Sequence, residues 1–273
     1  MTESAFITGT SSGMGMHAAV ELARRGFDVV ATVRNRARAG RLEELAEDAG
    51  VTLDIRELDV VDHEAAAAVV AQVLADHGRI DVLVNNAGRG AVGTAEQLTM
   101  EQIEAQIAVN YLAPVNLTKL VLPGMRENGR GRILTVTSVG GVVGQPFADA
   151  YCGAKFAVEG FMQSLAVVAE RFGVRVGVIE PAAVASEFVV NARRVEVSGP
   201  YAPLLEAYIG RTSGAFANAQ TAESAGAAIA DAVTTDDLAF RTQTSPAAVA
   251  FVGRSLADLD GSAVLGFTRP WIA

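Results

Sequence analysis

Apolar residues in this chain come in short runs that alternate with stretches of helical spacing. Ser4-Ala5-Phe6-Ile7-Thr8 has the length of a buried strand. Ala18 to Arg25 follows, with Val20, Leu22 and Ala23 at helical intervals and Gly26 as a stop. The alternation continues with a strand over 27–33, a helix over 41–49, a strand over 51–58, an alanine-rich helix over 63–77 and a strand over 82–85. One long helical pattern covers 100–128, then come a strand over 132–137, a helix over 150–172 and a strand over 175–179. Beyond Pro181 the pattern loosens, returning as a helix over 222–233 and a last strand over 239–242. Strands alternating with helices predict α/β architecture, with a doubly wound parallel sheet covered on both faces. No linker, repeat or low-complexity run divides residues 1–273, so a single domain is expected.

Composition narrows the partners. A net charge of −9 and a pI of about 4.9 disfavour nucleic acid and anionic membrane surfaces. No apolar run reaches the ~20 residues of a membrane span. Phe6-Ile7-Thr8-Gly9 already reads as strand and loop, so no secretory leader is expected. The single cysteine, Cys152, excludes an internal disulfide, fits a reducing cytoplasm and reads as a small buried hydrophobe. His17, His63 and His77 lack ligand spacing, so no metal is expected.

Two constellations carry chemistry. Gly9-Thr10-Ser11-Ser12-Gly13-Met14-Gly15 joins the first strand to the first helix, the setting in which glycines let backbone N–H groups approach a pyrophosphate. Further on, Tyr151 and Lys155 stand four apart, with Ser138 thirteen residues upstream and Asn110 further back. On a helix, four residues place phenol and ammonium on one face. A free tyrosine titrates near 10, and a lysine charge nearby is expected to draw it toward the working range. Cofactor choice is read from the end of the second strand. A carboxylate there would bind a ribose 2′-hydroxyl, but Val33 is followed by Arg34, Asn35 and Arg36. The Arg34 guanidinium suits a 2′-phosphate, so NADP (NADPH) is expected, with Ser12 as an added hydroxyl contact.

These motifs in this order, Thr8-Gly9-x-x-x-Gly13-x-Gly15, Asn85-Asn86-Ala87-Gly88, Asn110, Ser138 and Tyr151-x-x-x-Lys155, resemble the short-chain dehydrogenase/reductase family from about Phe6 to Phe188. Ser138-Val139-Gly140-Gly141, Pro146-Phe147-x-Asp149-x-Tyr151-Cys152 and Phe156-Ala157-x-Glu159-Gly160 are most similar to its hydroxysteroid and retinol dehydrogenase branch. The resemblance implies a Rossmann fold of three layers, α/β/α. It implies Tyr151 as proton donor, Ser138 as partner of the substrate oxygen, Lys155 on the nicotinamide ribose and Asn110 anchoring a water. For the cofactor it implies Gly9, Ser11, Ser12, Gly13, Met14, Gly15, Asp59, Val60, Asn86, Ala87 and Gly88. Pro181, Val184 and Ser186 resemble the segment that holds the carboxamide. Here Pro181-Ala182 replaces the family's Pro-Gly, which would cost backbone freedom if the site needs positive φ.

For the substrate, Ser138, Val139, Gln145, Phe147, Ala183 and Phe188 are the expected contacts, mainly apolar, with a covering loop over about 185–219. An apolar pocket suits a bulky hydrophobic ketone or secondary alcohol. The branch resemblance implies a 17β-hydroxysteroid and its 17-ketone first, with retinoid, polyketide or other secondary-metabolite carbonyls as alternatives. A non-catalytic NADP-binding sensor is a different class, whose signature would be a broken tetrad; this one is intact. The resemblance also implies a homodimer or homotetramer built on the helices over 100–128 and 150–172.

Overall fold

The structure is a computed structural model that describes residues 2–187, 193–194 and 199–268, with 193–194, 211–217, 264 and 267–268 by backbone alone. The first strand shows how sequence becomes layers. Ala5 and Ile7 of β1 (Ser4–Thr8) point to one face of the sheet and Phe6 to the other, all three fully buried. Burying a side chain of the size of Phe6 contributes about 1.5–3 kcal/mol.

The chain then runs through α1 (Gly13–Arg24), β2 (Asp28–Val33), α2 (Gly40–Asp48), β3 (Asp54–Glu57), α3 (His63–His77) and β4 (Val82–Asn85). Next come α4 (Met100–Ile107), α5 (Ala113–Glu127), β5 (Gly131–Val136), α6 (Asp149–Glu170) and β6 (Val174–Glu180). The remainder holds α7 (Ala202–Ala217), α8 (Ala222–Thr234), β7 (Arg241–Gln243), α9 (Pro246–Val252) and α10 (Ser262–Thr268). The sheet has the order β7-β6-β5-β4-β1-β2-β3 and every neighbouring pair is parallel. Val70, Leu117 and Met162 of α3, α5 and α6 pack with Phe6 on one face, and Leu22, Leu42 and Ile229 of α1, α2 and α8 pack with Ile7 on the other. This is the doubly wound, three-layer α/β fold. The order reverses between β1 and β4, so a crevice opens at the carboxyl ends of those strands, where such sheets bind ligands.

Element ends follow local chemistry. Asp62 caps α3 by accepting from Glu64 N and Ala65 N, and Gly78 at φ 77° closes it. Thr99 and Gln102 form a reciprocal capping box on α4. The expected single helix over 100–128 is interrupted: residues Ala108–Leu112 form a π turn, with Ala113 N bonding back to Ala108 O. The expected strand over 51–58 shortens to Asp54–Glu57, and the loose segment after Pro181 contains α7, which hydrophobic spacing had left unassigned. Among the described residues no helix is long and apolar enough to cross a membrane.

Candidate active site

The crevice begins with the glycine loop. Helix α1 starts at Gly13, five residues before its apolar spacing becomes visible, and Ser12 at its N-cap makes no side-chain capping bond. Its first N–H groups and the Ser12 hydroxyl therefore face the crevice. Asn86 locks the loop from β4: its Nδ2 donates to Thr8 O at 2.9 Å and Gly9 O at 3.0 Å. Thr8 Oγ1 accepts from the backbone N–H of Asn86 and of Ala87, both at 3.0 Å. Gly9 sits at φ 70°, and a Cβ there would lie 2.7 Å from Ala87 Cα. These contacts explain why the loop needs glycine.

The resulting cleft has a volume of about 650 Å³ and is lined by Gly9, Ser11, Ser12, Gly13, Met14, Gly15, Arg34, Asp59, Val60, Asn86, Ala87, Gly88 and Ser186. Thus most of the sequence-predicted cofactor residues meet in one place. Pro181 and Val184 lie off this lining; Val184 is buried where Val184–Ala185 pairs with Gln220–Thr221. Arg34 is exposed and makes no ion pair among the described residues. Arg36 instead turns to Glu43 at 2.6 Å. Sequence reading missed Arg38, which also lines the cleft and approaches Glu187 at 3.5 Å. It sits in the short 3₁₀ turn Arg36–Arg38, capped by Asn35, and carries no periodic signal.

The tetrad lies at the inner end. Asn110, fully buried in the π turn, donates to Arg89 O at 2.9 Å and to Gln106 Oε1 at 3.1 Å, while its Oδ1 accepts from Arg89 N at 3.3 Å. Its amide thereby fixes the loop after β4. A Cβ on Gly88 would lie 3.0 Å from Asn110 Oδ1 and 3.7 Å from Lys155 Nζ, so this loop passes directly over both. Gln106 had no sequence signal beyond its place four residues before Asn110.

Lys155 is buried on α6 and donates to Val136 O at 2.9 Å; burial pushes its ammonium down to about 8, against an upward pull from Glu159. Its Nζ stands 5.8 Å from the centroid of the Tyr151 ring. Burial pushes the Tyr151 phenol up to about 12, opposed by a hydrogen bond with Ser138. Burial thus acts on the phenol in the opposite direction to the pull expected from Lys155. Ser138 Oγ also accepts from Gly140 N at 3.0 Å, which fixes the hydroxyl beside the phenol.

Of the substrate candidates, Val139 and Phe147 are buried, and Gln145 and Ala183 partly so. Phe188 lies outside the described residues. Phe147 is the one non-glycine residue at positive φ (61°) among the described residues, and its ring packs at 5.8 Å on Tyr208 of α7. Ala182 is not at positive φ, so the missing glycine causes no strain there. Cys152 is buried, and burial raises its thiol pKa.

A glycine cradle at a sheet reversal, joined to a serine, tyrosine and lysine on adjoining elements, defines a dinucleotide-binding class of enzyme. The family model of short chain dehydrogenases matches residues 3–196. Mouse 17-beta-hydroxysteroid dehydrogenase type 1 is 44% identical over 188 residues, which cover 67% of this chain and 54% of that protein. Human retinol dehydrogenase 8 is 40% identical over 186 residues, covering 67% and 59%. The match thus spans little more than half the length of these relatives. The crystal structure of a short-chain dehydrogenase from Streptomyces avermitilis is 30% identical, covers 99% of this chain and 96% of its own, and superposes with a TM-score of 0.80. The chain belongs to the short-chain dehydrogenase/reductase family of oxidoreductases.

Proposed function

We propose that this chain is an NADP(H)-dependent oxidoreductase interconverting a secondary alcohol and a ketone on a bulky hydrophobic substrate, a 17β-hydroxysteroid and its 17-ketone first among them. The observation that carries the reading is the Ser138–Tyr151 hydrogen bond with Lys155 buried one turn along the same helix, at the end of a glycine-lined cleft. N–H groups at the start of α1 suit a pyrophosphate, and Arg34 at the rim, with no ion pair among the described residues, suits a 2′-phosphate. NADPH, when bound, supplies the hydride.

The chain's own residues supply the proton and the placement. A phenol held near 12 keeps its proton throughout the neutral range, which suits Tyr151 to protonate a carbonyl oxygen. The Ser138 hydroxyl, fixed by Gly140 N, steadies the same oxygen as charge develops. Phe147 packs on Tyr208 of α7, within the segment 185–219 that we assign as the substrate cover, while Val139 is buried with Val142, Ala248 and Val252. The similarity to the mouse hydroxysteroid enzyme supports the steroid, and that to human retinol dehydrogenase 8 supports a retinoid as the second reading.

The test is product analysis by chromatography after incubation with estradiol or testosterone and NADP⁺, alongside retinal, aryl ketones and NADPH. Steroid conversion that falls at least a hundredfold in Tyr151→Phe is expected, in keeping with the ~10²–10⁴ of general acid–base catalysis. Turnover of retinal or another ketone alone would remove the steroid and leave the oxidoreductase. Near-normal turnover by Tyr151→Phe would remove the assigned proton donor.

A further inference from the structure

Behind Ser138 and Lys155 lies a buried ionic cluster that the reaction above does not use. Arg241 of β7 places Nη1 at 2.5 Å from Glu159 Oε2 of α6 and at 2.5 Å from Glu180 Oε1 of β6. Gln243 Nε2 donates to the other oxygen of Glu180 at 2.5 Å. All three charged side chains are less than a tenth exposed, and Glu180 is fully buried. With both carboxylates ionised, the single guanidinium would leave an excess negative charge, and buried charge is stable only when it is matched.

The match is one helical turn away. Lys155 precedes Glu159 by four residues on α6, is equally buried, and has the Val136 carbonyl as its hydrogen-bond acceptor. Counted by formal charge, Lys155 and Arg241 equal Glu159 and Glu180, and Glu159 acts on Lys155 through its charge. Gly141 makes this arrangement sterically accessible: a Cβ there would lie 2.9 Å from Glu159 Cγ, so the glycine lets the carboxylate tuck beneath the turn that carries Ser138. Glu180 leads directly into Pro181, whose carbonyl accepts from Val139 N at 3.0 Å on the far side of that turn. We infer that Glu159 is a positioning residue for Lys155, a buried counter-charge held by Arg241 that keeps the lysine an ammonium where the reaction needs one.

The inference rests on the proposed oxidoreductase reading, in which the Lys155 ammonium holds the nicotinamide ribose. Burial raises the Glu159 carboxyl and Glu180 adds to the rise, while Arg241 and a hydrogen bond with Thr137 favour its ionised form. The group acting on Lys155 against its burial is Glu159. Lys155 should therefore lose its proton at lower pH once Glu159 is neutral.

The composition makes a direct test practical, because the chain has two lysines, Lys155 and the exposed Lys119. Lysine labelled with ¹³C at Cε gives two signals, one from the site and one as an internal reference. In the folded Glu159→Gln variant the Lys155 titration should move down by about one pH unit from its wild-type position while Lys119 stays put. The alkaline limb of turnover should shift the same way, with activity at pH 6 within about twofold of wild type. Glu180→Gln, which removes the carboxylate beyond Arg241, should leave Lys155 where it is or raise it. An unmoved Lys155 in Glu159→Gln, or an equal downward move in Glu180→Gln, overturns the inference. Should Glu159→Gln not fold, Glu159→Asp, which keeps the charge, must hold Lys155 within about 0.3 units, and a full unit's fall overturns it. The labelled-lysine result stands whether or not any ketone is turned over, so failure of the proposed function is read separately.

Discussion

Gly15→Ala puts the loop geometry to a test whose sign is informative. Gly15 lies inside α1, where alanine in place of glycine ordinarily adds about 0.5–1 kcal/mol of stability. At this position a Cβ would stand 2.1 Å from Asn86 Nδ2 and 2.7 Å from Gly9 O. Asn86 would have to withdraw, giving up its bonds to Thr8 O and Gly9 O at 2.9 and 3.0 Å. Two neutral hydrogen bonds at about 0.5–1.5 kcal/mol each give a loss of roughly 1–3 kcal/mol before the Gly9 carbonyl is moved. At about 2–4 °C per kcal/mol for a chain of this size, Tm should fall by roughly 2–12 °C. Differential scanning calorimetry measures this, and fluorescence titration with NADPH should show at least tenfold weaker binding. Asn86→Ala removes the same bonds, so the double variant should be less destabilised than the two single losses added together. A Gly15→Ala protein at or above the wild-type Tm would refute the steric account of the loop.

Arg34→Ala should shift preference from NADPH toward NADH by one to two orders of magnitude in kcat/KM, matching the ~1.5–3 kcal/mol of a charge-assisted bond; a wild type that already prefers NADH would remove the assignment. His77 bridges Asp28 at 2.6 Å and Asp54 at 2.9 Å; burial works against its charge, but these bonds outweigh it and raise its pKa above 6.5. Its stabilisation is therefore complete below about pH 6.5 and lost as pH rises through the folded value, so the urea midpoint of His77→Gln should fall furthest below wild type at pH 6, and an equal gap at pH 6 and pH 9 would count against the bridge. Met100, Phe156 and Val168 are 63%, 47% and 48% exposed on α4 and α6. A homodimer or tetramer built on that face should dissociate in Phe156→Asp, and a wild-type monomer by light scattering would end that expectation.

What the sequence made legible depended on how local the cause was. The boundaries of α3 and β4 agree residue for residue with the sequence reading, because Asp62, Gly78 and the run Val82–Asn85 carry their own signals. The glycine loop was equally readable, since turn chemistry and order along the chain determine it, whereas the cleft lining was read only in part: Arg38 was missed, and Pro181 and Val184 lie off it. The π turn escaped, because five residues of changed winding barely disturb a 3.6-residue period. Arg241 escaped for another reason: it belongs to a strand read only from apolar neighbours, and its partners lie 82 and 61 residues away. His77 was one of three scattered histidines until β2 and β3 brought Asp28 and Asp54 to it. The depth of burial at Tyr151 was not legible, because helical spacing shows a neighbouring charge but not what surrounds it.

The π turn makes α4 and α5 two halves of one rod that are out of phase. Each residue advances an α-helix by about 100°, so one additional residue in a turn rotates everything beyond it by that amount. This lets α4 lie against α6 while α5 turns toward α3 and the sheet and keeps a smaller contact with α6. The rod is therefore more sensitive to length than to composition. Deleting any one of residues Ala108–Leu112 other than Asn110 would leave both halves helical and no apolar residue misplaced within its own half. It would nonetheless return the rod to a single winding, so that Asn110 could face Arg89 only by turning α4 away from the helix that carries Tyr151 and Lys155.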